Sequence, residues 1–282
     1  MKYNEYLQLM KSVSDFGKKS DLNTDNLYKN NYTPTDHEKW VISVSWKTSI
    51  DNSDILYSSM DEYKPDFDKS LKFPIVVGSK EQIKSYEKKA EEQDAEYFSK
   101  KSIAFDGFIQ PSSEFLALNT VEQVEYALHE AFHNTPKLFF GKEQAKLFPE
   151  YEEASAFVIG HIGSIHYFNE TELKPQAIAH LQKHLNLANL VNRFYNELEE
   201  VLSFRAGTDK KPISQEQKMI DREKLLEKAR KELGNNLGGP INNAFFVYWN
   251  YFYGKVGKMY GKIRDLNDFK KIVLKMKTFD KW

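Results

Sequence analysis

Residues 121–135 read VEQVEYALHEAFHNT and contain the pattern His-Glu-x-x-His at His129, Glu130 and His133. Side chains four positions apart lie on one face of an α-helix, so the two imidazoles can bind the same metal ion. Neutral imidazole is a preferred zinc ligand. Glu130 projects to the neighbouring side of that ion, where it can take a proton from a metal-bound water. The segment therefore predicts a helix at a zinc site, with Glu130 as the general base.

A third ligand is expected from the next helical segment, PEYEEASAF at 149–157. A catalytic zinc ion needs three protein ligands and one position open to water. Glu153 follows His133 by 20 positions, a separation that fits a carboxylate donated by a second helix. The small residues that come after Glu153 favour it as the ligand, because they allow two helices to approach closely. Glu152 and Glu150, in the same turn, are the alternatives.

The remaining histidines are expected to bind no metal, with His161 and His166 interpreted as buried or helix-end residues and the others assigned to no group of ligands. These histidines are His37, His161, His166, His180 and His184. His180 and His184 are again four positions apart. However, Leu181 stands where the pattern would need a base, so the pair is assigned to one face of an amphipathic helix.

Composition narrows the class of protein. The 282-residue chain has a net charge of −1, with 29% charged residues, 40% apolar residues and no cysteine. It predicts a packed globular protein, and the lack of a basic bias argues against a nucleic-acid partner. Cysteine zinc sites and thiolate nucleophiles are excluded. No apolar run predicts a transmembrane segment or a secretory signal, so a soluble protein, cytoplasmic as the sequence stands, is expected. The oligomeric state is left open.

The first part of the chain carries the strand patterns. The predicted elements are a helix at 1–19, strands at 39–49 and 73–79, a charged helix at 80–100 and a bent strand or hairpin at 103–118. The hairpin would offer an edge strand near the metal site to an extended peptide.

Helical patterns dominate from Asn119 onward, where Asn119 and Thr120 are candidate N-caps. Helices are predicted at about 120–135, 149–168, 175–204, 213–234, 241–264 and 267–277. The expected fold class is α+β and mainly α, zincin-like, with the HExxH helix at a cleft. Residues 1–118 would form a small strand-containing part that packs on a helical zinc-binding part, 119–282, in one compact catalytic unit.

The order of these segments resembles a bacterial HExxH family of predicted aminopeptidases. That family has an FPI-and-glycine strand, a HELAH-like motif, an ESFA-like segment with the third ligand, and a late NNA-plus-tyrosine segment. The matching residues here are Phe73-Pro74-Ile75 with Gly78, His129-Glu130 with His133, Glu153 with Ala156, and Asn242-Asn243-Ala244. The similarity covers residues 39–264. One departure is Ser155, which stands where the family has Phe.

The resemblance implies a gluzincin-like zinc metallopeptidase, an aminopeptidase acting on a peptide or protein substrate. His129, His133 and Glu153 would be its Zn²⁺ ligands, and Glu130 would be the general base.

Two further roles in such an enzyme have several candidates. The tetrahedral oxyanion formed during peptide hydrolysis needs a hydrogen-bond donor, and the candidates are Tyr248, Tyr251, Tyr253 and Tyr260. Core packing is the simpler interpretation of each tyrosine. An acidic anchor for a free amine is sought among Glu114, Glu150 and Glu152. Asn242 and Asn243 could cap the late helix or reach the site, and capping is the simpler interpretation.

Two alternatives stay open at this point. One is a zinc endopeptidase of the effector type. The other is a non-catalytic helical interaction protein with a structural metal, for which the charged stretch 205–234 would provide a surface. A structural zinc needs a fourth protein ligand, whereas a catalytic zinc leaves that position to water.

Overall fold

The computed structural model describes residues 3–25, 27–28, 40–50, 75–77, 79–105, 108–109, 111–140, 149–203, 213–263 and 267–276. Over these residues the protein is mainly helical with a small antiparallel sheet, which confirms the α+β, mainly α class. His37, Phe73, Pro74 and Gly78 lie outside the described residues.

The elements are short strands between longer helices. The helices are α1 (Tyr3–Lys19), α2 (Lys80–Glu92), α3 (Ser113–Ala117), α4 (Thr120–Phe140), α5 (Pro149–Tyr167), α6 (Lys174–Ser203), α7 (Gln215–Leu233), α8 (Asn243–Tyr253), α9 (Val256–Gly261) and α10 (Phe269–Met276). The strands are β1 (Trp40–Trp46), β2 (Ile75–Val77), β3 (Ala95–Lys101), β4 (Ala104–Phe105) and β5 (Phe108–Ile109). No helix in the described part of the chain is long and apolar enough to cross a membrane.

Contacts divide the chain into two units, each built from segments that are distant in sequence. The first unit comprises Met1–His37, Ser102–Asn186 and Lys255–Trp282, and the second comprises Glu38–Lys101 and Leu187–Gly254. The whole HExxH helix α4 and its neighbour α5 belong to the first unit. The boundary at residue 118 stays a prediction.

The second unit contains the three-stranded sheet, in the order β2-β1-β3 with antiparallel pairing. Ile42 and Val44 of β1 are buried in a core that includes Ile83, Tyr86 and Ala90 of α2. Helix α8 packs on β1 and β3. The predicted strands at 39–49 and 73–79 are thus confirmed where they overlap β1 and β2.

The predicted helix at 80–100 is wrong in its second half. Helix α2 ends at Glu92, and Asp94 takes a left-handed conformation (φ 53°) that turns the chain back. Residues Ala95–Lys101 then pair with the whole of β1 as β3. The lysines and glutamates of this segment favour a continued helix. Residues 95–101 nevertheless form a strand, because pairing with β1 and burial of Phe98 stabilise it.

The late helix predicted at 241–264 is divided into α8 and α9 around Gly254. The Asn242 side chain caps α8 by accepting a hydrogen bond from the Phe245 N–H at 2.9 Å, which confirms capping for this residue. Asn243 instead joins a buried network: its Oδ1 accepts from Arg222 Nε at 3.0 Å, and its Nδ2 donates to the Trp46 carbonyl at 2.8 Å.

The predicted hairpin at 103–118 is present in its first half. Strands β4 and β5 pair as an antiparallel hairpin, and β5 packs on α4. The second half forms the helix α3, which the sequence did not predict. Ser112 caps it by accepting a hydrogen bond from the Phe115 N–H at 3.2 Å.

Close packing of α4 on α5 is the feature of the first unit that matters most for the site. The two helices run antiparallel, since His133 faces Glu152 near the start of α5 while Glu125 faces His161 further along it. Gly160 lies at the point of closest approach. A Cβ atom there would lie 2.8 Å from the carbonyl oxygen of Glu125 and 3.2 Å from Cβ of His129.

The change Gly160→Ala is expected to lower the free energy of unfolding by about 1–3 kcal/mol, the usual cost of overpacking. Helix propensity alone would change stability by about 1 kcal/mol in the opposite direction. Thermal unfolding followed by circular dichroism measures the difference. The matched control is Gly257→Ala in α9, where a Cβ would meet nothing within 4 Å. A Tm that falls equally in both variants, or in neither, would contradict the close approach of α4 and α5.

Candidate metal centre

The start of α4 is fixed by a reciprocal pair of hydrogen bonds. The Asn119 side chain accepts from the Glu122 N–H, and the Glu122 carboxylate accepts from the Asn119 N–H, both at 3.1 Å. This capping box sets where the helix begins. The predicted N-cap at Asn119 is therefore confirmed, and the two motif histidines follow on one face of the helix.

Three side chains that could bind a metal ion come together where α4 meets the start of α5. The Nε2 atoms of His129 and His133 lie 3.1 Å apart. Glu153 offers one oxygen at 3.6 Å from His129 Nε2 and the other at 3.4 Å from His133 Nε2. For bond lengths of 2.0–2.1 Å, tetrahedral zinc places its ligand atoms roughly 3.3–3.4 Å apart. The observed separations bracket this value.

The neighbouring carboxylate, Glu152, contacts the opposite side of the same imidazole. Its Oε1 lies 3.0 Å from Nδ1 of His133 and forms a hydrogen bond with it. A carboxylate bound to the second ring nitrogen fixes the orientation of a ligating histidine and makes it more basic. Glu153 thus lies where a ligand is needed and Glu152 where an orienting group is needed. The side chain of Glu150 lies outside the described residues.

Charge holds this group of side chains together. Burial lowers the pKa of His133, but the charge of Glu153 and the hydrogen bonds with Glu152 and Glu153 outweigh burial and hold that pKa well above its ordinary value. Burial raises the pKa of Glu153, but the charge of His133 and hydrogen bonds with both histidines outweigh it and bring that pKa far below its usual range. A dication would therefore replace a proton on His133.

Glu130, the predicted general base, is 6% exposed and lies between the two histidines in sequence. The histidine side chains remain partly exposed, 18% for His129 and 13% for His133, so solvent reaches the group. Within the described residues, this group of possible ligands has three members, His129, His133 and Glu153. The arrangement fits a centre with one position left to water.

The chain matches no protein-family model, no curated protein and no solved structure. The resemblance to the aminopeptidase family therefore stays a prediction, and a function must be argued from the residues and their geometry.

The tyrosines considered as oxyanion donors have different surroundings. Tyr248 and Tyr253 are buried at 6% and 2% exposure, where they pack on the ring of Trp249 in the second unit. This agrees with their interpretation as core aromatics. Tyr260 belongs to the first unit, in α9, a helix that packs on α5.

A second group of possible ligands consists of Glu125, His161 and His180. His161 is buried, as predicted for it, whereas the expectation that His180 belongs to no such group is wrong. Two signals in the sequence could have indicated it: the His180-x-x-x-His184 spacing, and Glu125, one helical turn before His129. Neither signal alone predicts the group, because its three residues lie on three different helices that only the fold brings together.

Proposed function

We propose that this protein is a zinc-dependent peptidase in which His129, His133 and Glu153 bind Zn²⁺ and Glu130 is the general base. The observation that carries the proposal is the separation of the three ligand atoms, 3.1–3.6 Å, at the HExxH motif. A zincin-like fold and the aminopeptidase class belong to the same proposal. They are supported by the family resemblance of the motif and of the segment that contains Glu153.

The residues divide the chemistry among them. A zinc ion bound here would polarise the scissile carbonyl and lower the pKa of a water molecule. Glu130 would accept a proton from the attacking water and deliver it to the leaving amine. Glu152 holds the His133 ring through Nδ1, so that Nε2 points toward Glu153 and His129.

A catalytic role is favoured over a structural one by the number of ligands. A structural zinc is closed by four protein ligands. Where the structure describes the chain, this group supplies three, and its histidines are reached by solvent. The β4–β5 hairpin packs on the same helix, α4, which supports its proposed role in orienting an extended peptide.

Removal and return of the metal tests the proposal. Purified protein is loaded with zinc, treated with a chelator, dialysed and reloaded, and each form is incubated with a mixed peptide library. Hydrolysis is expected in the loaded forms and is expected to be lost after chelation. Products shortened by one N-terminal residue would identify an aminopeptidase, and internal cleavage an endopeptidase. Undiminished hydrolysis by metal-free protein would overturn the zinc mechanism, and a zinc-loaded protein that cleaves no peptide would overturn the peptidase.

A further inference from the structure

Glu125, His161 and His180 bring three ligand atoms together one helical turn before the HExxH motif. His161 Nε2 lies 3.1 Å from Glu125 Oε1, and His180 Nδ1 lies 2.7 Å from Glu125 Oε2. The three side chains come from α5, α4 and α6, and all belong to the first unit. Each carboxylate oxygen of Glu125 thus lies close to one imidazole nitrogen.

Three of the atoms in this group are buried without a hydrogen bond of good geometry. They are His161 Nε2, His180 Nδ1 and Glu125 Oε2. His161 is 1% exposed. Buried polar atoms in native proteins are nearly always satisfied, by protein, water or an ion. Three unsatisfied atoms that face one another identify a position at which one cation would satisfy all of them.

The charge of the site also favours a cation. Glu125 is 8% exposed, and its ion-pair partners among the described residues are the histidines, with no lysine or arginine. The other nitrogen of His180, Nε2, lies 3.2 Å from Nε2 of His184, which borders the group from outside.

We propose that Glu125, His161 and His180 bind a second divalent transition-metal ion. Two imidazoles and one carboxylate are the ligand set that suits Zn²⁺ and related ions, in preference to Mg²⁺ or Ca²⁺. Glu125 and His129 are one turn apart, about 6 Å along α4. The two groups share no residue, so a substitution in one group removes no ligand of the other. The second ion would join α4, α5 and α6 at one point.

Metal stoichiometry tests this inference. Four proteins are loaded with Zn²⁺, passed through a desalting column and measured for zinc per chain: wild type, His180→Gln, His133→Gln and the double variant. The expected values are two, one, one and none. Titration with Co²⁺ should show two sets of visible absorption bands in wild type and one set in each single variant. The matched control is His166→Gln on α5, a histidine outside both groups, which should keep two ions.

Each outcome distinguishes this site from the HExxH site. A wild type that retains one ion, lost in His133→Gln and kept in His180→Gln, would overturn the second site alone. One ion lost only in His180→Gln would support it and overturn the HExxH centre. Circular dichroism checks that each variant is folded. If His180→Gln does not fold, Glu125→Gln removes a ligand of the same ion while keeping the shape of the side chain, and it should also retain one zinc.

Discussion

Glu130→Gln is expected to retain the HExxH zinc and to lose peptide hydrolysis by about 10²–10⁴-fold in kcat, the usual contribution of a general base. The amide is similar in size to the carboxylate but cannot accept the proton from water. The three ligands, His129, His133 and Glu153, are unchanged, so metal content should match that of wild type. Because Glu130 is buried, the isosteric change also avoids a cavity.

The measurement combines zinc content with steady-state hydrolysis of the best peptide from the library. Glu122→Gln is the matched control: it removes one carboxylate from the same helix, at a capping position where glutamine also serves. It should keep wild-type kcat. If zinc-loaded Glu130→Gln keeps more than a tenth of the wild-type kcat, Glu130 is not the base.

Glu153→Gln and Glu152→Gln are expected to separate a ligand from an orienting group. Each removes one negative charge, at adjacent positions in one turn of α5. Loss of Glu153 removes the oxygens that face both Nε2 atoms, so zinc affinity should fall by well over 100-fold. Loss of the Glu152 carboxylate affects only Nδ1 of His133 and should weaken binding about 10–100-fold, as is usual for outer partners of a ligand.

Competition with a chromophoric chelator measures both affinities in the same buffer and at the same pH. The reverse order, with Glu152→Gln the weaker binder, would assign the third ligand to Glu152. Equal small losses in both variants would show that neither carboxylate binds the metal.

The helical part of the fold was the most predictable, because its signals are local. Caps and apolar spacing predicted the ends of α4, α5, α6 and α7 to within a few residues. The exception is the C-terminal end of α4, which lies five residues past its predicted position. The conformation of Ala95–Lys101 was not predictable in this way. Its pairing with β1 joins residues 49 to 61 positions apart, and this non-local pairing overrides a helical pattern.

The candidate site shows the same division between local and non-local information. His129 and His133 share a helix face by sequence alone. The choice between Glu153 and Glu152 depends on the rotation of α5 about its axis, since adjacent helical residues point about 100° apart. Tertiary packing sets that rotation. Gly160 of α5 lies against Glu125 and His129 of α4, and Gly163 of α5 lies against Leu128 and Phe269. The group of Glu125, His161 and His180 needs three helices in place, which no spacing in the sequence records.

The assembly of the first unit from separated segments has a consequence for the order of events during synthesis. Helix α5 leaves the ribosome well before α9 and α10, which pack on it. Lys258 Nζ donates to the hydroxyl of Tyr151, next to Glu152, and Phe269 stacks on His166. The packing around α5, which carries Glu152 and Glu153, is therefore complete only once α9 and α10 have been made. A nascent chain that has reached only α5 contains the three candidate ligands but not the two helices that pack on α5, so the candidate site takes its final form only after α10 has been made.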